Sequence, residues 1–268
     1  MLPILFSLGP VKVYSYGLML AVGLFFGLYF WWKMGRDEHF GEIELFDGFF
    51  ISLIIFGIAG RLGYVIMNFS EVGTLYRSLA VLSFPGINAP LGIIAATVFM
   101  VLFSRSHNWH EWKVMDSFSV VLSEILAFAG IAGFLNGSLP GRAVSWGLMY
   151  PGQEITRIPV DIWLFLWGFV TFAIVSRVRK NFRFYAWYKG ESSMAQEGLA
   201  SLVFLLSIGV LYFVMGFLID SRWKIINIPG EVLLGLLLTI SAVLLIERRV
   251  GRREATIWGK LMNIIRRK

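Results

Sequence analysis

Residues 45–67 read LFDGFFISLIIFGIAGRLGYVIM, and this stretch decides the fold class. It carries only two charges, Asp47 near its start and Arg61 toward its end. At about 1.5 Å per residue a helix of this length spans roughly 34 Å, enough to cross a hydrocarbon core of about 30 Å. Its apolar residues run on without alternation, which is not how the strand of a membrane barrel reads. Six further runs of the same kind are Tyr14–Met34, Gly86–Phe103, Val114–Asn136, Pro159–Val175, Gly198–Ile219 and Pro229–Ile246. The chain therefore reads as all-α, a polytopic membrane helical bundle with seven transmembrane helices.

Composition agrees. Of 268 residues, 57% are hydrophobic, and 28 glycines bring the apolar share to about two-thirds. Only 15% are charged, where a soluble domain carries about a quarter. A soluble enzyme, a fibrous protein and a disordered chain are excluded. The chain has no cysteine, which removes disulfides, a thiol nucleophile, cysteinyl metal sites and lipidation on its own sulfur.

The basic residues set an orientation. Lys33, Arg36, Arg105, Lys113, five residues within 177–189 and eight within 248–268 make seventeen on one side. Lys12, Arg77, Arg142, Arg157, Arg222 and Lys224 make six on the other. The positive-inside bias puts the N-terminus outside and the C-terminus in the cytoplasm. The net charge of +7 thus reflects topology and contact with anionic headgroups, not nucleic acid. Residues 1–246 read as one seven-span membrane domain and residues 247–268 as a basic amphipathic cytoplasmic tail. In that tail Ile257, Trp258, Leu261, Ile264 and Ile265 fall at helical spacing beside Arg252, Arg253, Lys260, Arg266 and Arg267.

Ionisable groups inside spans are expensive and point to function. Asp47, Asp116, Asp161 and Glu231 sit near span ends, where placement at a helix start explains them. Glu124 lies deep in the fourth span, facing the bundle interior. Arg61 lies roughly 9 Å below the interface and requires an anionic partner, either a carboxylate or a lipid phosphate. The stretch Gly130-Ile131-Ala132-Gly133-Phe134-Leu135-Asn136-Gly137-Ser138-Leu139-Pro140-Gly141-Arg142 breaks the end of the fourth span. Two readings stay open there: backbone lining a headgroup pocket, or small residues packing helices. His107 and His110 lie in a short cytoplasmic loop without further ligands, so neither a metal centre nor a cofactor is expected.

These stretches resemble the prolipoprotein diacylglyceryl transferases of bacteria. Phe6-Ser7-Leu8-Gly9-Pro10-Val11 with Tyr14-Ser15-Tyr16-Gly17-Leu18-Met19 is similar to the family's opening. Gly60-Arg61-Leu62-Gly63-Tyr64-Val65 resembles its second-span motif. Phe134-Leu135-Asn136-Gly137, Leu139 and Gly141-Arg142 resemble the second half of its signature. The resemblance implies a protein of the bacterial cytoplasmic (inner) membrane. It implies a reaction in which phosphatidylglycerol gives its diacylglyceryl group to a lipobox cysteine, releasing glycerol phosphate. It places Tyr16, Arg61, Asn136, Gly137 and Arg142 at headgroup-binding positions.

The departures are equally specific. The family's histidine before the third span is missing from Gly86-Ile87-Asn88-Ala89-Pro90-Leu91-Gly92. Gly130 stands at a signature arginine, Ser138 at a signature glutamate, and Tyr212 and Gly216 at charged sixth-span positions. Arg157-Ile158-Pro159-Val160-Asp161 replaces a histidine-containing stretch. Losing a base costs about 10²–10⁴ in rate, and losing the cations that hold the leaving phosphate costs more. The expectation is a divergent homologue without catalysis, with no catalytic residue to name. It would be a lipid-binding or structural subunit of a bacterial membrane complex, with a phosphatidylglycerol-like phospholipid and other membrane subunits as partners. The alternative is an active transferase with a rearranged site, whose further partner is a prolipoprotein. A transporter would want coupled carboxylates at mid-membrane, which Glu124 alone does not supply.

Overall fold

In the computed structural model, residues 2–8, 11–74, 76–77, 86–150, 154–189, 197–220 and 224–250 are described. The elements run β1 (Ile4–Leu8), β2 (Val11–Tyr14), α1 (Ser15–Asp37), α2 (Glu42–Met67), α3 (Phe69–Val72), α4 (Ala89–Ser106) and α5 (Glu111–Asn136). They continue with β3 (Pro140–Met149), β4 (Thr156–Pro159), α6 (Val160–Lys189), α7 (Leu199–Leu218), β5 (Lys224–Ile225), β6 (Ile228–Pro229) and α8 (Gly230–Val250).

Seven of these helices, α1, α2 and α4–α8, are long and apolar enough to cross a membrane. This is a multi-pass helical membrane protein. Large apolar side chains face outward along the spans, as lipid contact requires. Ile54, Ile58, Leu62 and Ile66, four residues apart on α2, are each more than half exposed. The third span begins at Ala89, later than its apolar run, because Asn88 caps it: the side-chain oxygen accepts the Leu91 N–H at 3.0 Å. Helix α8 passes Ile246 and ends at Val250. The amphipathic tail beyond it lies outside the described residues.

The sequence reading had no strands, and the structure adds three short antiparallel hairpins, β1–β2, β3–β4 and β5–β6. None, four and six spans precede them, so all three lie on the side of the membrane that holds the N-terminus. Segments of two to ten residues were too short to stand out beside apolar runs of twenty.

The chain divides into two compact units, Leu28–Ser117 and Met1–Gly27 with Phe118–Lys268. In the unit Leu28–Ser117, α2 and α4 pack closely. A methyl on Gly60 would come within 2.6 Å of Ile87 Cγ2, and one on Gly63 within 2.5 Å of Leu91 Cδ2. The buried Trp31 indole donates to the Leu45 carbonyl at 2.8 Å, fixing α1 to the start of α2.

The other unit is built on glycine seams. A Cβ on Gly130 of α5 would stand 2.3 Å from the Phe165 backbone nitrogen of α6, and one on Gly168 would stand 2.5 Å from Ala127 N. Between α7 and α8, a Cβ on Gly235 would stand 2.3 Å from Phe213 N. Lipid tails are as apolar as leucine, so helices in a membrane adhere through this backbone proximity and through interhelical hydrogen bonds. Trp167 Nε1 and Thr171 Oγ1 of α6 both reach Ser207 Oγ of α7, at 2.9 and 2.6 Å.

Candidate headgroup site

The site grows from the end of α5. The helix runs unbroken through Gly130 and Gly133 to Asn136 and stops at Gly137, whose φ is +72°. The Ser138 N–H returns to the Gly133 carbonyl at 3.0 Å and the Gly137 N–H to that of Phe134 at 3.3 Å. This pairing closes a helix through a left-handed glycine. The span end that the sequence reading treated as broken is therefore helical, and Gly130 and Gly133 serve its packing. A Cβ on Gly133 would lie 2.2 Å from Asp161 Oδ1.

Past the cap, the Leu139 N–H donates to Asp161 Oδ2 at 3.1 Å, fastening the start of β3 to the first turn of α6. Asp161 is fully buried and its Oδ1 has no hydrogen-bond partner among the described residues. The buried Tyr150 hydroxyl has none either. Burial, with the Asp161 carboxyl as the lesser cause, pushes the Tyr150 phenol above its ordinary value.

Strands β3 and β4 then present two arginines. Arg142 donates from Nε to the Ile219 carbonyl at 3.2 Å and from Nη2 to the Gly216 carbonyl at 3.3 Å. These are carbonyls of the last turn of α7, which lack intrahelical donors and form the negative end of the helix dipole. Arg157 donates from Nη1 to the Gly141 carbonyl at 3.1 Å, across the hairpin. The carboxylate of Asp220 lies 3.6 Å from Arg142 Nε and 3.5 Å from Arg157 Nη1. Two guanidiniums thus converge on one anion, a geometry that suits a phosphate as well as a carboxylate. The core below is Ile158, Val160, Leu211 and Met215, which holds the hairpin to α6 and α7.

Of the sequence-predicted residues, Tyr16, Asn136, Gly137 and Arg142 fall in this unit. Tyr16 is 41% exposed, one residue after the buried Ser15, whose N–H donates to the Pro3 carbonyl at 3.0 Å. The Leu2 N–H donates to the Leu135 carbonyl at 3.0 Å and ties the N-terminal hairpin to the end of α5. Asn136 Nδ2 donates to Ser138 Oγ at 2.9 Å, so two signature positions engage each other.

Arg61 belongs to the unit Leu28–Ser117. It is 8% exposed, and its guanidinium donates to the Gly86 carbonyl at 3.0 Å and the Arg77 carbonyl at 2.7 Å. It also lies 5.5 Å from the Tyr64 ring centroid. These contacts clamp the chain between α3 and α4. Arg157 and Asp220 were missed as site residues. Pro151-Gly152, a turn dipeptide, marks the hairpin that pairs Arg157 with β3, and it was the available signal.

Glu124 is 4% exposed at the middle of α5, and neither carboxyl oxygen has a hydrogen-bond partner among the described residues. Its Oε2 faces α1, 3.3 Å from where a Cβ on Gly27 would stand. An unpartnered buried polar group costs about 1–3 kcal/mol. Glu124→Met is therefore expected to stabilise the protein by about that amount. The thermal unfolding midpoint in detergent checks it, and a lowered midpoint would show the carboxyl to be engaged.

The sequence profile of the prolipoprotein diacylglyceryl transferases matches residues 3–247. The chain is 27% identical over 252 residues to a phosphatidylglycerol–prolipoprotein diacylglyceryl transferase of Wolbachia pipientis, covering 91% of each chain. It is 27% identical over 257 residues to proteins of the same name in Brucella canis and Brucella ovis, covering 91% of this chain and 88% of each relative.

Proposed function

The chain belongs to the prolipoprotein diacylglyceryl transferase family, and we propose that it retains a phospholipid-headgroup site without the transfer chemistry. In this reading it is a multi-pass protein of the bacterial inner membrane and a lipid-binding or structural subunit of a membrane complex. Its ligand is a phosphatidylglycerol-like lipid, the donor named in its relatives. The observation that carries the reading is the convergence of Arg142 and Arg157 on a single anion at the membrane face. The three histidines, at 39, 107 and 110, lie in segments that the basic-residue bias assigns to the cytoplasmic side, opposite this face. Tyr16, Asn136 and Gly137 border the site on the signature side; Arg61 serves the same class of lipid through its own unit.

One observation favours transfer instead. Asp161 Oδ1 is buried and unpartnered, and a carboxylate there could take the proton of an incoming cysteine thiol. The thiolate sulfur would attack the glyceryl carbon, the carbon–oxygen bond would break, and glycerol phosphate would leave with its electrons.

Purified protein in nanodiscs containing phosphatidylglycerol, supplied with a lipobox peptide, separates the two readings. The expected result is lipid retained and no diacylglyceryl peptide by mass spectrometry. Peptide modification that is lost in Asp161→Asn would overturn it. Affinity purification in mild detergent tests the subunit role, which a clean monomer would sink.

A further inference from the structure

The headgroup reading leaves open which phosphate the arginine pair accepts, and the inference drawn here rests on that reading. Both guanidiniums are anchored. Of five N–H groups each, Arg142 gives two to α7 carbonyls and Arg157 gives one to Gly141. Arg157 Nε is buried without a hydrogen-bond partner among the described residues. Asp220, in contrast, touches neither closely. Its separations of 3.6 and 3.5 Å exceed the roughly 2.7–2.9 Å of a charge-assisted hydrogen bond. Its side chain is 68% exposed, against 41% for Arg142 and 29% for Arg157. Asp220 compensates charge at the site while leaving most of the arginine donors unoccupied.

We propose that Asp220 is the selectivity determinant of this face, admitting phosphodiester monoanions and rejecting phosphomonoester dianions. Two guanidiniums and one carboxylate carry one net positive charge. A diester headgroup such as that of phosphatidylglycerol brings one negative charge and leaves the group neutral. A monoester dianion brings two, and its second charge faces Asp220 uncompensated. One such like-charge contact at a half-exposed site is worth about tenfold in affinity. The face thereby holds an intact diester lipid and releases a phosphomonoester such as glycerol phosphate.

The test uses the full chain in phosphatidylcholine nanodiscs doped with equal amounts of phosphatidylglycerol or phosphatidic acid. At about pH 9 the phosphatidic acid headgroup is a dianion. Lipid retention is read by native mass spectrometry. A second arm adds free glycerol phosphate or inorganic phosphate to discs without anionic lipid, which distinguishes a soluble phosphate from a lipid headgroup as the ligand. The wild type is expected to prefer the diester about tenfold, and Asp220→Asn to bring that ratio to about one or invert it, with Asp220→Glu keeping it. The exposed position makes the asparagine variant foldable, and an unchanged melting midpoint verifies this.

If Asp220→Asn keeps the wild-type ratio while Arg142→Ala loses phosphatidylglycerol, the role of Asp220 is overturned and the headgroup site stands. If the wild type retains phosphatidylglycerol no better than phosphatidylcholine while Asp220→Asn gains phosphatidic acid, the headgroup reading falls and the role of Asp220 stands. Selectivity in neither protein overturns both. Binding of free phosphate that is equal in wild type and Asp220→Asn also overturns the role of Asp220.

Discussion

Gly130→Arg is expected to abolish folding. By resemblance the relatives carry an arginine at this position, so the substitution looks like a restoration of the signature. In this chain it is obstructed at the level of backbone. The first side-chain atom at Gly130 would stand 2.3 Å from the Phe165 nitrogen and 2.6 Å from its Cα, and backbone cannot rotate away as a side chain can. To admit it, α5 and α6 must separate, which removes the close approach that holds them in lipid. Overpacking a core costs about 1–3 kcal/mol when side chains can yield, and more when they cannot. The expected outcome is loss of the monodisperse peak on size exclusion in detergent, with Gly130→Ala intermediate. A well-folded Gly130→Arg protein would mean that the α5–α6 seam is not as close as described. In that case the missing arginine would be a genuine route back to activity.

Arg142→Ala is expected to reduce phosphatidylglycerol retention about thirtyfold, the equivalent of a charge-assisted hydrogen bond of about 2 kcal/mol. The same change leaves the Gly216 and Ile219 carbonyls without their donor. A lowered melting midpoint should therefore accompany the lost binding. Arg142→Lys separates the two effects: an ammonium supplies charge but cannot reach two carbonyls and a phosphate with a planar fork. It is expected to recover part of the lipid retention and little of the stability. Retention unchanged in both variants, read by native mass spectrometry, would remove Arg142 from the site.

The spans were legible because hydropathy is a property of a contiguous run. The motif glycines were legible as unusual residues but not in their role. Gly130 and Gly133 suited a pocket wall or a helix seam equally, and the choice depended on what α6 places opposite them. Gly216 looked like the loss of a charged residue. In the structure a Cβ there would come within 2.4 Å of Val232 Cγ2, and the Gly216 carbonyl receives Arg142. Arg61 was legible as a buried cation needing acceptors, though not as a clamp on the carbonyls of Arg77 and Gly86, 16 and 25 residues away. Asp220 carried no signal, since an acidic residue after a span is ordinary.

The sequence by itself determined that this chain crosses a membrane seven times, which side its basic residues select, and which family's motifs it keeps and loses. Local composition and spacing suffice for these, because each span must satisfy its own backbone in lipid wherever its neighbours lie. Only the tertiary structure decided that the α5 glycines are a seam, that Arg142 caps α7 from 74 and 77 residues away, and that Arg157 and Asp220 complete its site. Partners that distant are chosen by which helices pack together and how closely, and no run of neighbouring residues encodes that choice.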